Sequence, residues 1–252
     1  MSGQSEKARA FAALHRPGDP VVLYNVWDPG SARAVAEAGA KAIATGSASV
    51  AAAYGFEDAE ALPLELALAN AERVAGAVEL PVTIDFEGAY GVEPGSAAAN
   101  IRRLAGTGAI GCNFEDQVIG GEGLHPVEAQ AARIRAARAA VGPDFFINAR
   151  TDIFLKTRAA THEPAAIEEA LARALAYAEA GASGFFVPGL VDLDQLAQIC
   201  AASPLPVNFM AFPGAPNTPA VAAAGVARIS HGPFPYRQAM KALKEAAEAI
   251  YG

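Results

Sequence analysis

The chain has 252 residues, 52% hydrophobic and 18% charged, with a net charge of −8. That suits one large domain with a substantial core and excludes a disordered chain. The acidic balance, with no basic run, argues against a nucleic-acid partner, and no apolar stretch reaches the roughly 18 residues of a membrane span. The polar N-terminal stretch carries no signal-peptide core, and the two cysteines, Cys112 and Cys200, form no CxxC pair. A cytoplasmic protein without a disulfide framework is therefore expected, with both thiols as small core residues.

In chain order, residues 5–15 read as a short helix with Ser5 as its N-cap, and 21–26 as an apolar strand. Asp28-Pro-Gly-Ser31 is a helix-start signal, and the helix 32–38 stops at Gly39. The strand 42–45 leads into a small-residue loop, 46–58, with at most one helical turn, and then a helix over 63–78. The strand 82–85 follows, then helix 96–105, strand 109–114 and helix 126–140. The remaining pairs are strand 145–149 with helix 163–180, strand 184–187 with helix 192–201, strand 206–210 with helix 218–224, and strand 227–230 with helix 236–250. Eight strands alternating with helices over this length predict a (β/α)8 TIM barrel as a single domain. The competing doubly wound sheet lacks its fingerprint, since the first turn reads Trp27-Asp-Pro-Gly-Ser-Ala32. His15 and His162 read as surface residues.

In such a barrel the chemistry gathers at the C-terminal strand ends. Those ends carry Trp27 and Asp28; Thr45, Gly46 and Ser47, with Asp58 beyond; Asp85 and Glu87; Glu115 and Asp116; Arg150 and Asp152; Asn208; and Ser230-His231. Asp85 and Glu87 are spaced to share one face of a strand, where two acids repel unless a cation or a proton separates them. They would equally serve as a solvated polar turn. Convergent acids with one arginine suit a divalent cation and a small anionic substrate, with Arg150 forking onto a substrate carboxylate. Thr45, Gly46 and Ser47 would supply N–H and hydroxyl donors to another anionic group, Trp27 a pocket wall, and Asn208 and His231 further substrate contacts. Asp116 would pair with Arg150 or a helix end. The glycine-rich segment 117–125 reads as a mobile lid.

Five stretches in order carry a resemblance: Asn25-Val-Trp-Asp28, Ala44-Thr-Gly-Ser47, Asp85-Phe-Glu-Gly-Ala-Tyr-Gly91, Phe114-Glu-Asp116 and Asn148-Ala-Arg-Thr-Asp152. Together they resemble the isocitrate lyase / phosphoenolpyruvate mutase superfamily. The resemblance implies Mg²⁺ (or Mn²⁺) holding a small 2-oxo or 2-hydroxy acid, with a C–C or C–P bond made or broken through an enolate-like intermediate. It implies Asp85 as the direct metal ligand and Glu87 and Glu115 as holders of metal-bound water. Thr45, Gly46 and Ser47 would bind substrate oxygens, and Asp58 and Arg150 would border the substrate, with Asp58, Glu115 and Arg150 in the chemistry. It also implies a homo-oligomer, a dimer or tetramer, with the last helix exchanged between subunits.

The segment after the fourth strand, Gln117-Val-Ile-Gly-Gly-Glu-Gly-Leu-His125, lacks both the Lys-x-Cys-Gly-His loop of the C–C lyases and the Lys-x-Asn-Ser loop of the phosphonate enzymes. What remains is chemistry that needs an enolate stabiliser but no loop cysteine. Decarboxylation of oxaloacetate or a related 2-oxo diacid fits that best. Cleavage of a methylisocitrate- or dimethylmalate-like acid, with Glu122 or His125 as substitute acid, comes next. A catalytically quiet 2-oxo-diacid-binding barrel and a phosphonopyruvate-type C–P enzyme are the alternatives.

Overall fold

The computed structural model describes residues 2–157 and 162–252. The apolar runs form eight strands: β1 Val21–Leu23, β2 Ile43–Ala44, β3 Val82–Asp85, β4 Gly111–Glu115, β5 Phe146–Arg150, β6 Gly184–Phe186, β7 Val207–Met210 and β8 Arg228–Ser230. They pair in parallel in the order β1-β8-β7-β6-β5-β4-β3-β2. The ring closes between β1 and β2 just beyond the named strands, where Val26 N donates to Ala44 O at 2.9 Å and Gly46 N to Val26 O at 3.2 Å. The fold is thus the expected (β/α)8 barrel. Close pairing of β4 and β5 requires Gly111, because a Cβ there would lie 2.5 Å from Phe146 O.

The helices are α1 Ser2–Ala13, α2 Pro29–Glu37, α3 Ser47–Ala53, α4 Leu64–Gly76, α5 Pro94–Ala105, α6 Val127–Val141, α7 Ile153–Thr157, α8 Pro164–Glu179, α9 Leu193–Ala202, α10 Thr218–Ala223 and α11 Phe234–Tyr251. α2 starts where the sequence signal places it: Asp28 caps it, and its side chain and Ser31 form a reciprocal capping box. The segment 46–58 departs from a loop, because the small residues of Ser47-Ala-Ser-Val-Ala-Ala-Ala53 build the two turns of α3. α7, directly after β5, has no counterpart in the sequence reading. Among the described residues, no helix is long and apolar enough to cross a membrane.

α1 closes the N-terminal end of the barrel. Phe11 and His15 enter the interior beside Phe146, with His15 stacked on that ring at 4.3 Å between centroids. His15 is therefore a buried residue, not a surface one. Burial, reinforced by the Arg228 guanidinium, lowers its pKa to about 3. His162 is also buried, edge-on to Phe154 at 4.7 Å, with its backbone N–H donating to Gln195 Oε1. Both histidines follow apolar packing that the local polarity of their segments hides. Cys112 is fully buried and Cys200 partly so, and burial pushes both thiols up to about 12, which keeps them protonated.

Asp116 corrects another expectation. It does not pair with the Arg150 side chain, although one oxygen meets the N–H of Asp152 at the start of α7. Its carboxylate takes Arg173 Nη1 at 2.9 Å, the Tyr177 hydroxyl at 2.8 Å and Asp152 N at 3.1 Å, all inside the wall between the barrel and α8. α11 is the opposite case. Of its 18 residues only Pro235 is buried, and Leu243, Ile250 and Tyr251 stand 64, 79 and 88% exposed.

Asp116→Ala leaves the buried Tyr177 hydroxyl and Asp152 N–H without their acceptor and Arg173 with Glu169 as its one remaining carboxylate partner among the described residues. It should destabilise the fold by about 3–5 kcal/mol in chemical denaturation, whereas a loss below about 1 kcal/mol would contradict the network's role. His15 is protonated more readily in the unfolded chain than in the fold. Its contribution to stability is therefore complete above pH 6.5 and drains as the pH falls towards 3. His15→Phe should flatten the wild-type loss of stability across that window, measured as thermal midpoint against pH. An unchanged slope would show that His15 is not its source.

Candidate active site

β2, β3, β4 and β5 end side by side and deliver Ser47, Asp85, Asn113 and Arg150 to the wall of one cavity of about 350 Å³. Asp85 is its centre. Oδ2 accepts from Ser47 N and Ser47 Oγ, both at 3.1 Å, and Oδ1 accepts from Asn113 Nδ2 at 3.0 Å. The Asp85 N–H donates to the Thr45 hydroxyl at 3.0 Å. Ser47 Oγ also reaches Asp58 Oδ1 at 3.2 Å, which joins the two aspartates through one hydroxyl.

The acids crowd one another. Burial, then the charge of Asp85, raises the pKa of Asp58. Glu87 is pushed up to about 8 by burial first and by Asp58, Asp85 and Glu60 after it. Burial also pushes Glu115 well above the ordinary carboxylate range, with Arg150 opposing. Arg150 stays charged, because Glu115 and Asp152 outweigh the effect of its burial.

Several expected roles meet a different geometry. The N–H groups of Thr45, Gly46 and Ser47 are all taken, by Thr83 O, Val26 O and Asp85 Oδ2. Of that segment, Gly46 and the Ser47 hydroxyl border the cavity, while Thr45 lies just behind it. The Arg150 fork holds Asp152 through Nε at 2.6 Å and Nη2 at 2.9 Å, and Nη1 holds Glu115 at 2.9 Å. A free carboxylate clamp is therefore not what Arg150 presents. Glu87 turns from the cavity to accept Glu60 N at 2.7 Å, because its φ of 49° twists the chain out of strand geometry. It still borders a smaller adjoining pocket together with Asp85 and Thr45.

Trp27 packs edge-on against Tyr236 at 5.1 Å and lines a groove between α2 and α11, not the cavity. Asn208 is buried beneath the site, accepting from Asn148 at 3.0 Å and donating to Ser230 Oγ at 3.2 Å. The His231 ring leans on Tyr24 with Nδ1 at 3.1 Å from Leu23 O, so only its neighbours border the cavity. The segment 117–125 forms a small antiparallel bridge between Gln117 and Leu124 and lies beside Gly88 at Ile119, with none of its residues lining the cavity.

Sequence reading gave no site role to Asn25, Asn113, Leu155, Phe186, Met210 and Arg237, all on the cavity wall. A two-residue step back along the strand finds Asn113 before Glu115, and the same step finds the polar side chains beneath the cavity, Asn148 before Arg150 and Arg228 before Ser230. Asn25 fixes the β8 end, with Oδ1 accepting His231 N at 2.7 Å and Gly232 N at 3.0 Å. Leu155, Phe186, Met210 and Pro233 give the wall an apolar arc.

Among the described residues, no three His, Cys, Asp or Glu side chains lie close enough to bind an ion directly. That set still fits Mg²⁺, which takes one or two carboxylates and keeps several waters. Asp85 would hold it, with Glu87 and Glu115 reached through water. The mutual repulsion of Asp58, Asp85 and Glu87 marks where a cation would be stabilised.

The pattern of the phosphoenolpyruvate phosphomutase family matches residues 11–251. A Burkholderia cenocepacia J2315 protein provisionally named a phosphonomutase is 50% identical, with a TM-score of 0.95 over 98% of this chain and 99% of its own. The structure of a 2,3-dimethylmalate lyase is similar at 28% identity and a TM-score of 0.84, covering 97 and 87% of the two chains. An oxaloacetate decarboxylase of Pseudomonas savastanoi pv. phaseolicola is 28% identical over 93% of this chain and 81% of its own. The chain belongs to the phosphoenolpyruvate phosphomutase family, within the isocitrate lyase / phosphoenolpyruvate mutase superfamily.

Proposed function

We propose that the protein is a Mg²⁺-dependent carbon–carbon lyase or decarboxylase acting on a small 2-oxo or 2-hydroxy di- or tricarboxylic acid. The observation that carries this is the Asp85 carboxylate, fixed at the wall of a closed barrel's cavity among acids that repel one another. Superfamily membership supports the reaction class. The relatives named dimethylmalate lyase and oxaloacetate decarboxylase support the substrate class. The cation, when bound, would stabilise charge developing on the substrate's 2-oxo oxygen.

The chain's own groups then do the remaining work. The Ser47 hydroxyl, now shared by Asp85 and Asp58, is free to rotate towards a substrate carboxylate oxygen. Asp58 borders the cavity with a raised pKa, so it holds a proton closer to neutral pH than an ordinary aspartate and can donate that proton to the enolate carbon once the C–C bond has broken. Arg150, held by Glu115 and Asp152, places fixed positive charge at the wall. Both thiols are buried and protonated, which fits a reaction without a cysteine acid. A second reading, C–P chemistry on a phosphonopyruvate-type acid, draws on the name of the 50%-identical neighbour. The lack of a Lys-x-Asn-Ser loop weighs against it.

We also propose that α11 is exchanged between subunits of a dimer or tetramer. The support is an 18-residue helix with one buried residue and an exposed apolar face of Leu243, Ile250 and Tyr251.

Turnover with Mg²⁺ should appear on one of oxaloacetate, 2-methylisocitrate, dimethylmalate or phosphonopyruvate. It should be abolished by chelator and fall roughly 100-fold or more in Asp85→Ala. Silence on all four, with no Mg²⁺-dependent thermal stabilisation by a 2-oxo diacid, would reject the site. Silence with stabilisation would identify a binding barrel. Sedimentation should show an oligomer at micromolar concentration that dissociates when Leu243 and Ile250 are both changed to Asp. A wild-type monomer would end the exchange proposal.

A further inference from the structure

Arg228 opens β8, and its side chain crosses the barrel interior to Asn113 on β4, four strands away in the ring. It is 1% exposed. Its guanidinium lies 5.9 Å from the Phe11 ring of the helix that closes the barrel floor. Among the described residues, Nε and Nη1 have no hydrogen-bond partner, and no carboxylate touches the group. Its one hydrogen bond runs from Nη2 to Asn113 Oδ1 at 3.3 Å. Burial lowers its pKa to about 10, so it keeps its charge at neutral pH, with Asp85 foremost in favouring that charge. An apolar side chain would fill the same space without taking a charge out of water. Packing alone therefore does not account for an arginine at this position.

We propose that Arg228 is a positioning residue for the cation site, acting on Asp85 through the amide of Asn113. The inference rests on the reading of Asp85 as the metal ligand and adds the residue that holds it ready from beneath. An asparagine can turn either its oxygen or its NH2 towards a neighbour, and an oxygen turned to Asp85 would repel the carboxylate. Arg228 Nη2 and Asn148 Nδ2, at 3.3 and 2.9 Å, converge on Asn113 Oδ1 and so direct Nδ2 to Asp85 Oδ1 at 3.0 Å. A charged donor at the amide oxygen also polarises the amide and strengthens the N–H at its other end. Arg150 shows the alternative: it forks directly onto Asp152 and occupies both of that carboxylate's oxygens. A guanidinium seated on Asp85 in the same way would block a cation. With an amide between them, Asp85 Oδ1 accepts one N–H and keeps a lone pair for the metal.

The test is titration of the full chain with Mn²⁺ alone, following the free ion by electron paramagnetic resonance, beside the metal-free thermal midpoint. Loss of a positive charge near a cation site would by itself tighten Mn²⁺ binding. Loss of the support beneath a ligand should weaken it by about tenfold or more. Arg228→Met should therefore weaken Mn²⁺ binding by about tenfold with a midpoint equal to or above the wild type, and Arg228→Lys should recover part of the loss. Asn113→Leu should weaken binding by at least as much. The double variant should lie within about twofold of Asn113→Leu, because the two changes break one relay. Tighter or unchanged binding in Arg228→Met, or losses that multiply in the double variant, would overturn the proposal. A fall in midpoint that accompanies the weaker binding would assign Arg228 to the fold and overturn it too. Asn113→Leu leaves Arg228 in place, so unchanged Mn²⁺ affinity there would overturn the relay even if Arg228→Met failed to fold. A wild type that binds no Mn²⁺ would instead reject Asp85 as the metal ligand, and the role of Arg228 with it.

Discussion

The site depends on how one carboxylate is held. Asp85 ends β3, and its neighbours on both sides grip it: Thr45 and Ser47 after β2, Asn113 from β4. The grip is set from below. Asn113 Oδ1 accepts from Asn148 at 2.9 Å and Arg228 at 3.3 Å, so only its Nδ2 is left to face Asp85. A polar layer of Asn113, Asn148, Asn208 and Arg228 therefore lies where many barrels pack branched aliphatic side chains. Arg228 is buried, and burial lowers its pKa to about 10, but it still carries its charge at neutral pH, with Asp85 favouring that charge. The interior is thus arranged to fix an anion at its upper end as well as to fill space.

The rim stores the conformational cost of this arrangement. The positive-φ residues other than glycine among those described are Ala59, Glu60, Glu87, Ala89 and Tyr90, all in two loops that touch. Each such residue costs on the order of 1–3 kcal/mol and persists only where its surroundings over-determine it. The surroundings are explicit here. Glu60 N donates to Glu87 Oε2 and Tyr90 N donates to Glu60 Oε1, both at 2.7 Å, while Arg133 Nη2 donates to Gly88 O and Gly91 O. The clasp buries Glu87 against an acidic neighbourhood and so links rim strain to the electrostatics of the cavity.

Strand order and barrel class were legible because apolar runs and helix signals recur at regular spacing, and Asp28, Gly111 and the strand ends each serve a local need that sequence displays. Five of the expected residues, Gly46, Ser47, Asp58, Asp85 and Arg150, do reach one cavity. What the sequence hid depends on orientation. Glu87 leaves the strand face because of its φ, which no residue type announces at glutamate. Arg150 looks like a free clamp until Asp152, two residues on, is seen to fill its fork. His15 reads as polar surface until α1 swings it under the barrel. Arg237 lies in a helix read as an oligomer element, and only the turn at Gly232-Pro233 brings it over the cavity.

Diffraction from crystals grown with Mn²⁺ and oxalate, with data collected for the anomalous signal of manganese, tests the central claim most directly. The account predicts one strong peak in the cavity at about 2.1 Å from a carboxylate oxygen of Asp85, oxalate beside it, and Glu87 and Glu115 reached only through water. A peak elsewhere on the chain, or oxalate bound in the cavity with no metal at Asp85, would contradict it.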